Sequence, residues 1–177
     1  MKKLALILLA LMLTLTCISC SKEKTDAPAG MKDVSNGSSE FQLFIPEEWI
    51  VDRSDGMISA HVSEKDSTNV SVTAFAFPIN EYNSLEEYLE KEYMTYFENN
   101  FSDMVIVEEF TECKVDGRDA RSIVFTATVG ANEYKFKQII TTSASAYLHI
   151  FTYTSSISGF DAHLEDLNNI IKEFRFL

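Results

Sequence analysis

Cysteine is scarce in this sequence, and its placement argues against most of its usual roles. Of 177 residues, three are cysteines: Cys17, Cys20 and Cys113. Cys113 lacks the second cysteine of a CxxC pair, which argues against a zinc site or a dithiol redox site. We therefore interpret Cys113 as a small, half-buried residue of a strand.

Histidine and glycine are also few, and the motifs that use them in catalysis do not occur in the sequence. The three histidines, His61, His149 and His163, have neither HxxxH nor HExxH spacing. There is no GxSxG nucleophile motif and no phosphate-binding glycine loop. We expect no cofactor, no metal site and no enzymatic activity. A metal site assembled from distant parts of the chain, and a hydrolase with a dispersed acidic site, stay open as alternatives.

Long apolar runs are missing except at the N-terminus. Met1-Lys2-Lys3 precedes an almost uninterrupted apolar run of 12 residues from Leu4 to Leu15. As a helix this run would rise about 18 Å, which is short of the roughly 30 Å of a bilayer core. A basic start and a short apolar stretch are typical of a secretory signal, which we assign to residues 1–19.

The residues directly after this run form a motif of their own. Cys17-Ile18-Ser19-Cys20-Ser21 resembles the lipobox of bacterial lipoproteins, in which the signal is cut before a cysteine that then carries lipid. Cys20 fits this role because Ser19 before it is small and a polar segment follows, although Cys17 stands where leucine is usual. The resemblance implies a protein anchored by lipid on the extracytoplasmic face of a bacterial cell membrane. An ordinary secretory signal or an uncleaved anchor is the alternative.

Basic residues are too few for a partner rich in phosphate. The formal charge of the chain is −12, and cleavage before Cys20 would leave 13 Lys and Arg against 27 Asp and Glu, a charge of −14. Nucleic-acid binding depends on Lys and Arg that neutralise phosphates, so we expect no nucleic-acid partner. The same deficit argues against a polybasic contact with anionic lipid.

Aromatic residues are missing from the segment after Cys20. Residues 21–40 contain few aliphatic side chains, so this segment cannot bury enough surface to offset the entropy of ordering. We interpret Cys20 and this segment, residues 20–40, as a lipidated flexible tether with a mean reach of roughly 25 Å. Residues 41–177 then form one globular domain.

The pattern of apolar residues predicts both strands and helices in this domain. Strands are expected at residues 41–45, 57–63, 69–77 and 104–115, with a polar loop at 64–68. Ser84 and Glu87 form a capping box for a first helix whose apolar side includes Tyr88, Tyr93, Tyr96 and Phe97. A last helix is expected from near Ser158, and residues 174–177 are either its tail or a short strand.

Residues 118–154 are predicted to form the centre of the fold. Three runs, 121–129, 134–140 and 147–153, alternate in the manner of strands and are joined by short turns, which requires antiparallel pairing. Asp116-Gly117 is a strong signal for a hairpin that leads into them. Because the runs are apolar on both faces, both faces need cover. The predicted fold class is α+β, with an antiparallel sheet sandwiched between helices.

Two short motifs resemble a known family. Phe41, Pro46 and Trp49, together with a final helix followed by Phe174 and Phe176, resemble the two ends of PsbP-like and DcrB-like domains. The resemblance spans residues 41–177 and implies a PsbP-like α/β/α sandwich. Many bacterial members are lipoproteins of unknown activity, and the plant members assist photosystem II by binding protein. No residue here matches that plant role, so the resemblance does not extend to it.

One group of residues is a candidate binding face. Aromatic rings with polar tips suit a groove or a partner surface, and the candidate residues are Trp49, Tyr147, His149, Phe151 and Tyr153. The alternative is that they form core beneath the last helix. The predicted function is a non-enzymatic accessory or protein-interaction module of the cell envelope with an envelope protein as partner. A small-ligand carrier or sensor, with a pocket between sheet and helix, is the second hypothesis.

Overall fold

The computed structural model describes residues 24–35, 38, 40–53, 57–101 and 103–177. The predicted signal segment and the predicted lipidation site Cys20 lie outside these residues. Among the described helices, none combines the length and the hydropathy that a bilayer span requires.

The described residues form a mostly antiparallel α+β fold. The strands are β1 (Met31–Asp33), β2 (Phe41–Gln42), β3 (Phe44–Pro46), β4 (Ile50–Asp52), β5 (Ile58–Ser63), β6 (Asp66–Ala76), β7 (Val105–Val115), β8 (Arg118–Val129), β9 (Asn132–Thr142), β10 (Tyr147–Ser156) and β11 (Arg175–Phe176). The first helix has three consecutive segments, Leu85–Tyr88, a π-helical Leu89–Tyr93, and Met94–Asn100. The C-terminal helix is Leu164–Glu173, preceded by a 3₁₀ turn at Phe160–His163.

Seven of these strands make one sheet in the order β4-β5-β6-β10-β9-β8-β7. Every neighbouring pair is antiparallel. The predicted meander of three strands is confirmed as β8, β9 and β10, with Phe125 opposite Phe136 and Ile140 opposite Ile150. Short turns alone join these strands, which is why their antiparallel pairing could be predicted from the sequence.

Each face of this sheet packs against a different layer. On the front face, Ile123, Phe125 and Ile150 pack with Leu89 and Phe97 of the first helix. On the back face, the sheet packs against the C-terminal helix and two short ribbons, one of β1 with β3 and one of β2 with β11. The core residues that the strands contribute to the back face include Val124, Phe151 and Tyr153. The prediction that both faces are covered is therefore confirmed.

The first helix begins at the predicted cap. The Ser84 hydroxyl accepts a hydrogen bond from the backbone N–H of Glu87 at 3.1 Å. The Glu87 carboxylate accepts one from the backbone N–H of Asn83 at 2.9 Å, one residue earlier than a standard capping box. The prediction that a helix starts at Ser84 is confirmed, while the π-helical segment inside it was not predicted.

The predicted Asp116-Gly117 hairpin is present between β7 and β8. Both residues have positive φ, 46° for Asp116 and 78° for Gly117, which are the signs that a type I′ turn requires. Val115 and Arg118 face each other directly across the turn. The turn also supports the C-terminus, because the Asp116 carboxylate accepts a hydrogen bond from the Phe176 N–H at 3.0 Å.

Gly117→Val should lower the free energy of unfolding by roughly 1–3 kcal/mol, because a branched side chain is strained at positive φ. A Cβ at this position would have open space around it, so the penalty would come from the backbone alone. Gly117→Asn is the matched control, since Asn tolerates this conformation and should keep most of the stability. Denaturant unfolding measures both variants; equal stability of the valine and asparagine variants would contradict the argument.

The C-terminus ends in a strand. The last helix, expected from near Ser158, is preceded by the 3₁₀ turn at Phe160–His163, and the α-helix itself starts at Leu164. Arg175–Phe176 then pairs antiparallel with Phe41–Gln42, so the strand alternative for this segment is the observed one.

Two sequence-based boundaries need correction. Residues 31–35 are folded rather than part of a flexible tether that reaches residue 40, because β1 pairs with β3 and Val34 is buried in the back-face core. One buried aliphatic residue and a strand pairing are enough here, although the segment as a whole is polar. The predicted loop at 64–68 is also shorter, since β6 starts at Asp66 after a two-residue turn. The Ser63 hydroxyl accepts hydrogen bonds from the backbone N–H groups of Lys65 and Asp66.

Candidate functional site

The structure places four of the five residues of the candidate binding face in the core. Trp49, His149, Phe151 and Tyr153 are fully buried, and Tyr147 alone of the five reaches solvent, with 37% of its surface exposed. The reason is that this side of β10 lies beneath the C-terminal helix. The Tyr153 hydroxyl donates a hydrogen bond to the Phe160 carbonyl at 2.7 Å, so its polar tip is satisfied inside the protein. The core interpretation therefore replaces the binding face.

His149 is an unusual member of this core. Its ring lies 5.1 Å from the Phe176 ring and 5.8 Å from the Phe41 ring, both edge-on. Within the described residues, neither ring nitrogen has a hydrogen-bond partner. Burial, aided by the charge of Arg118, lowers the pKa of His149 to about 4. The imidazole is therefore neutral near pH 7 and packs as an aromatic ring.

The other candidate groups for metal or redox chemistry are dispersed. His163 pairs with Asp166 at 2.8 Å and lies 3.4 Å from Asp66. Burial raises the pKa of the half-buried Cys113 thiol, which keeps it protonated. Across the residues that the structure describes, no three His, Cys, Asp or Glu side chains are grouped so that they could hold a metal ion.

A groove of about 380 Å³ lies on the front face, between the sheet and the edge of the first helix. We call it the aromatic groove. Its walls are five rings: Phe75, Tyr88, Tyr93, Tyr96 and Phe97. Its floor is formed by strand residues Thr73, Gln138, Ile150 and Thr152. None of these nine side chains carries a charge.

The π-helical segment places two of the tyrosines on the same wall. Tyr88 directly precedes the π-helical segment Leu89–Tyr93, and Tyr93 is its last residue. Their ring centroids are 6.1 Å apart. A π-helix joins residues five apart, so residues with this spacing lie near one another, which an α-helix would not achieve. The Phe97 ring then packs 4.8 Å from Tyr93 and continues the wall.

The floor of the groove is held by a short chain of hydrogen bonds. The Tyr93 hydroxyl donates to Gln138 Oε1 at 2.8 Å, and Gln138 Nε2 donates to Thr152 Oγ1 at 3.2 Å. Burial raises the pKa of Tyr93 well above its usual value, so its phenol stays a proton donor. The floor therefore has fixed, neutral polar groups beneath an aromatic wall.

The mouth of the groove exposes aromatic surface to solvent. Phe75 is 41% exposed and Tyr96 is 60% exposed, on opposite walls contributed by β6 and the first helix. Soluble proteins bury most large rings, so two exposed rings beside a hollow make this a candidate binding surface. The chemistry available is ring stacking and neutral hydrogen bonding.

Beyond the groove, no helix among the described residues covers the front face of β5 and β6. The register places Ser71 between Ser59 on β5 and Thr152 on β10, so the three side chains form one row on the front face. We call the half-buried front-face residues Ser59, His61, Asn69 and Ser71 the hydroxyl face. It joins the groove to a second open hollow of about 460 Å³, which Ser59, His61 and Asn69 line together with the charged residues Asp52, Glu64 and Lys65.

Sequence reasoning placed most of the helix rings correctly but missed the groove. Tyr88, Tyr93, Tyr96 and Phe97 were assigned to the apolar side of the first helix; the structure buries Tyr88, Tyr93 and Phe97 in the front-face core but leaves Tyr96 exposed at the mouth of the groove. What the sequence did not show is that Gln138, distant in the chain, would lie beneath them. The available signal was the three tyrosines among these helix residues, because a tyrosine at a core position needs a partner for its hydroxyl.

Comparison with known proteins identifies the fold. No protein-family model matches the chain, and no curated protein matches it. Among solved structures, cyanobacterial PsbP (CyanoP) from Synechocystis superposes with a TM-score of 0.61 and 16% identity, over 89% of this chain and 99% of that one. The described domain has a PsbP-like fold. The resemblance predicted from Phe41, Pro46, Trp49, Phe174 and Phe176 is thus confirmed.

Two further PsbP-like neighbours come from other bacteria. LpqN of Mycobacterium tuberculosis, described as involved in cell envelope biogenesis, has a TM-score of 0.55 and 11% identity over 82% of this chain and 90% of its own. A Pseudomonas aeruginosa protein of unknown function, described as a putative regulator, has a TM-score of 0.55 and 11% identity over 81% and 94%. At these identities the similarity concerns the fold alone.

Proposed function

We propose that this chain is a non-enzymatic accessory module of the bacterial cell envelope, anchored by lipid on Cys20, that binds another envelope component. The observation that carries the proposal is the aromatic groove. Its lining has aromatic rings and neutral hydrogen-bonding groups and contains no Cys, His, Asp, Glu or Lys. Such a lining suits binding better than nucleophilic or acid–base chemistry, which needs titratable groups placed together.

Thr25, a described residue close to the predicted anchor in sequence, contacts the side of the sheet opposite to the groove. The Thr25 N–H donates to Gln42 Oε1 at 2.8 Å, next to the ribbon of β2 and β11 on the back face. Thr25 is five residues after Cys20 in the chain, so the lipid would attach within about 18 Å of this point. The membrane would then lie nearer the back face, and the aromatic groove on the front face would remain open to a partner.

One neighbour supports an envelope role. LpqN, whose description connects it with cell envelope biogenesis, shares the PsbP-like fold. The lipobox resemblance around Cys20 is independent of that similarity, because it rests on residues 17–21, outside the described domain. Together, these two observations favour the extracytoplasmic side of the membrane as the site of action.

Cys20→Ala should release the protein from the membrane fraction or leave it as an unprocessed precursor. Stable anchoring needs two acyl chains, and a protein without its lipidated cysteine has none. Fractionation and gel mobility measure both outcomes. Cys113→Ala is the matched control, because it makes the same substitution at a cysteine far from the predicted cleavage site. This variant should fractionate like the wild type. If Cys20→Ala behaves like the wild type in both measurements, the anchor is wrongly assigned.

Site-specific cross-linking in intact cells tests the binding role. A photoreactive benzoyl-phenylalanine at position 96 should give one recurring adduct with an envelope component, because this position is exposed at the mouth of the groove. The same group at position 147, exposed on the back face, should not give that adduct. Equal adducts from both positions, or substrate turnover by the purified protein, would contradict the proposal.

A small-ligand carrier or sensor is the second candidate function. The observation that favours it is the position of the groove, which is a hollow of about 380 Å³ between sheet and helix. That volume falls in the range of small-molecule sites. A carrier should retain a small molecule through purification, which native mass spectrometry would detect as a mass excess that Tyr96→Ala reduces.

A further inference from the structure

We propose that the aromatic groove and the adjoining hydroxyl face together bind a neutral carbohydrate chain. This inference rests on the proposed function and names the chemical class of the envelope component. Three observations carry it: exposed rings at one end, a row of neutral hydrogen-bonding side chains, and the absence of charge in the groove lining.

The rings supply the apolar contact that a sugar needs. A pyranose ring has flat patches of C–H groups, which carry partial positive charge, and the face of an aromatic ring carries negative charge from its quadrupole. Tyr96 and Phe75 are the exposed rings at the mouth, so they are the ones available for stacking without any movement of the core. Tyr93 and Phe97 support Tyr96 from behind through the ring contacts of the helix.

The strand residues supply the hydrogen bonds. A hydroxyl or a side-chain amide both donates and accepts, as each hydroxyl of a sugar does. Ser59, Ser71 and Thr152 follow one another across β5, β6 and β10 in register, and the buried Gln138 on β9 holds Thr152 from below. With neighbouring strands about 4.8 Å apart, this row of three spans roughly 10 Å, which exceeds the width of a single sugar ring. The row therefore fits a chain of several sugars better than a monosaccharide.

The charge distribution favours a neutral chain. The protein as a whole carries a formal charge of −12, yet no charged side chain lines the aromatic groove. A sulfated or uronic-acid polymer would approach an acidic surface and find no cation in the groove, and in the hollow at the far end of the hydroxyl face one lysine, Lys65, is outnumbered by the two carboxylates Asp52 and Glu64. A peptide or an apolar ligand would use the rings but would leave the row of hydroxyl groups without a specific partner.

Titration calorimetry on the full-length chain in detergent tests this inference. The probes are neutral hexasaccharides of N-acetylglucosamine and of glucose, each compared with its monosaccharide and with a sulfated heparin hexasaccharide. We expect at least one neutral hexasaccharide to bind, its monosaccharide to bind more weakly, and the sulfated chain not to bind.

Three variants connect binding to the surface. Tyr96→Ala should weaken binding about five- to tenfold through the loss of stacking, and Ser71→Val about three- to tenfold through the loss of a hydrogen bond. Valine suits a strand, so Ser71→Val should keep the fold. Tyr147→Ala, which removes an exposed tyrosine from the back face, should leave binding unchanged. Thermal unfolding of each variant separates loss of binding from loss of fold.

The outcomes distinguish this inference from the proposed function. If no neutral hexasaccharide binds, or if Tyr147→Ala weakens binding as much as Tyr96→Ala, the carbohydrate inference is wrong. A protein adduct from position 96 in cells, with no carbohydrate binding in vitro, would overturn this inference and leave the proposed function standing. The absence of an adduct combined with enzymatic turnover would overturn both.

Discussion

Phe174→Ala should lower the free energy of unfolding by about 3–5 kcal/mol, the range for a large aromatic residue removed from a packed core. Phe174 is fully buried at the end of the C-terminal helix. Its ring lies 4.8 Å from Phe151 on the sheet, 5.5 Å from Phe41 on β2 and 5.0 Å from Phe176 on β11. The side chain thus joins the helix, the sheet and the terminal ribbon, and no single neighbour can move to fill its space.

Tyr147→Ala is the matched comparison for this result. It also truncates an aromatic residue, but from an exposed position, so its effect should stay within about 0.5 kcal/mol. Denaturant unfolding measures all three proteins. The comparison is valid if the free energy of unfolding falls with denaturant concentration at the same slope in the wild type and in both variants. A loss below about 1 kcal/mol for Phe174→Ala would show that this ring does not hold the helix, the sheet and the terminal ribbon together.

The elements that follow from local physics could be predicted from the sequence. Alternating residues placed β8, β9 and β10, and short connections fixed their antiparallel order. Ser84 and Glu87 marked the start of the first helix, and Asp116-Gly117 marked a hairpin, because caps and tight turns depend on a few neighbouring residues.

The features that depend on distant contacts could not be predicted in this way. Residues 31–35 were predicted to be flexible from composition alone, yet β1 pairs with β3 and the side chains of Val34 and Ser35 are buried. Alternation showed that Tyr147, His149 and Tyr153 share a face of β10, but not that the C-terminal helix covers all but the first. The aromatic groove needs Gln138 beneath Tyr93, a contact between residues 45 apart in the chain.

The stability of this protein should fall between pH 7 and pH 5 because of His149. Its pKa is about 4 in the folded protein and 6.5 in an exposed reference state, so the unfolded chain gains a proton that the folded chain excludes. The imidazole thus favours folding above pH 6.5, and that contribution is lost as the pH falls toward 4. Linkage gives a loss of about 2 kcal/mol from pH 7 to pH 5 and about 3 kcal/mol over the full interval.

His149→Leu should remove most of this pH dependence, because it replaces the titratable ring with an apolar side chain in the same aromatic surroundings. Phe41→Leu is the control: it loosens the same cluster but keeps the imidazole, so it should lower stability at both pH values and retain the difference between them. Urea unfolding at pH 7 and pH 5 measures all three proteins. If the wild type and His149→Leu lose equal stability on acidification, other groups cause the loss, and the neutral buried imidazole is not the origin.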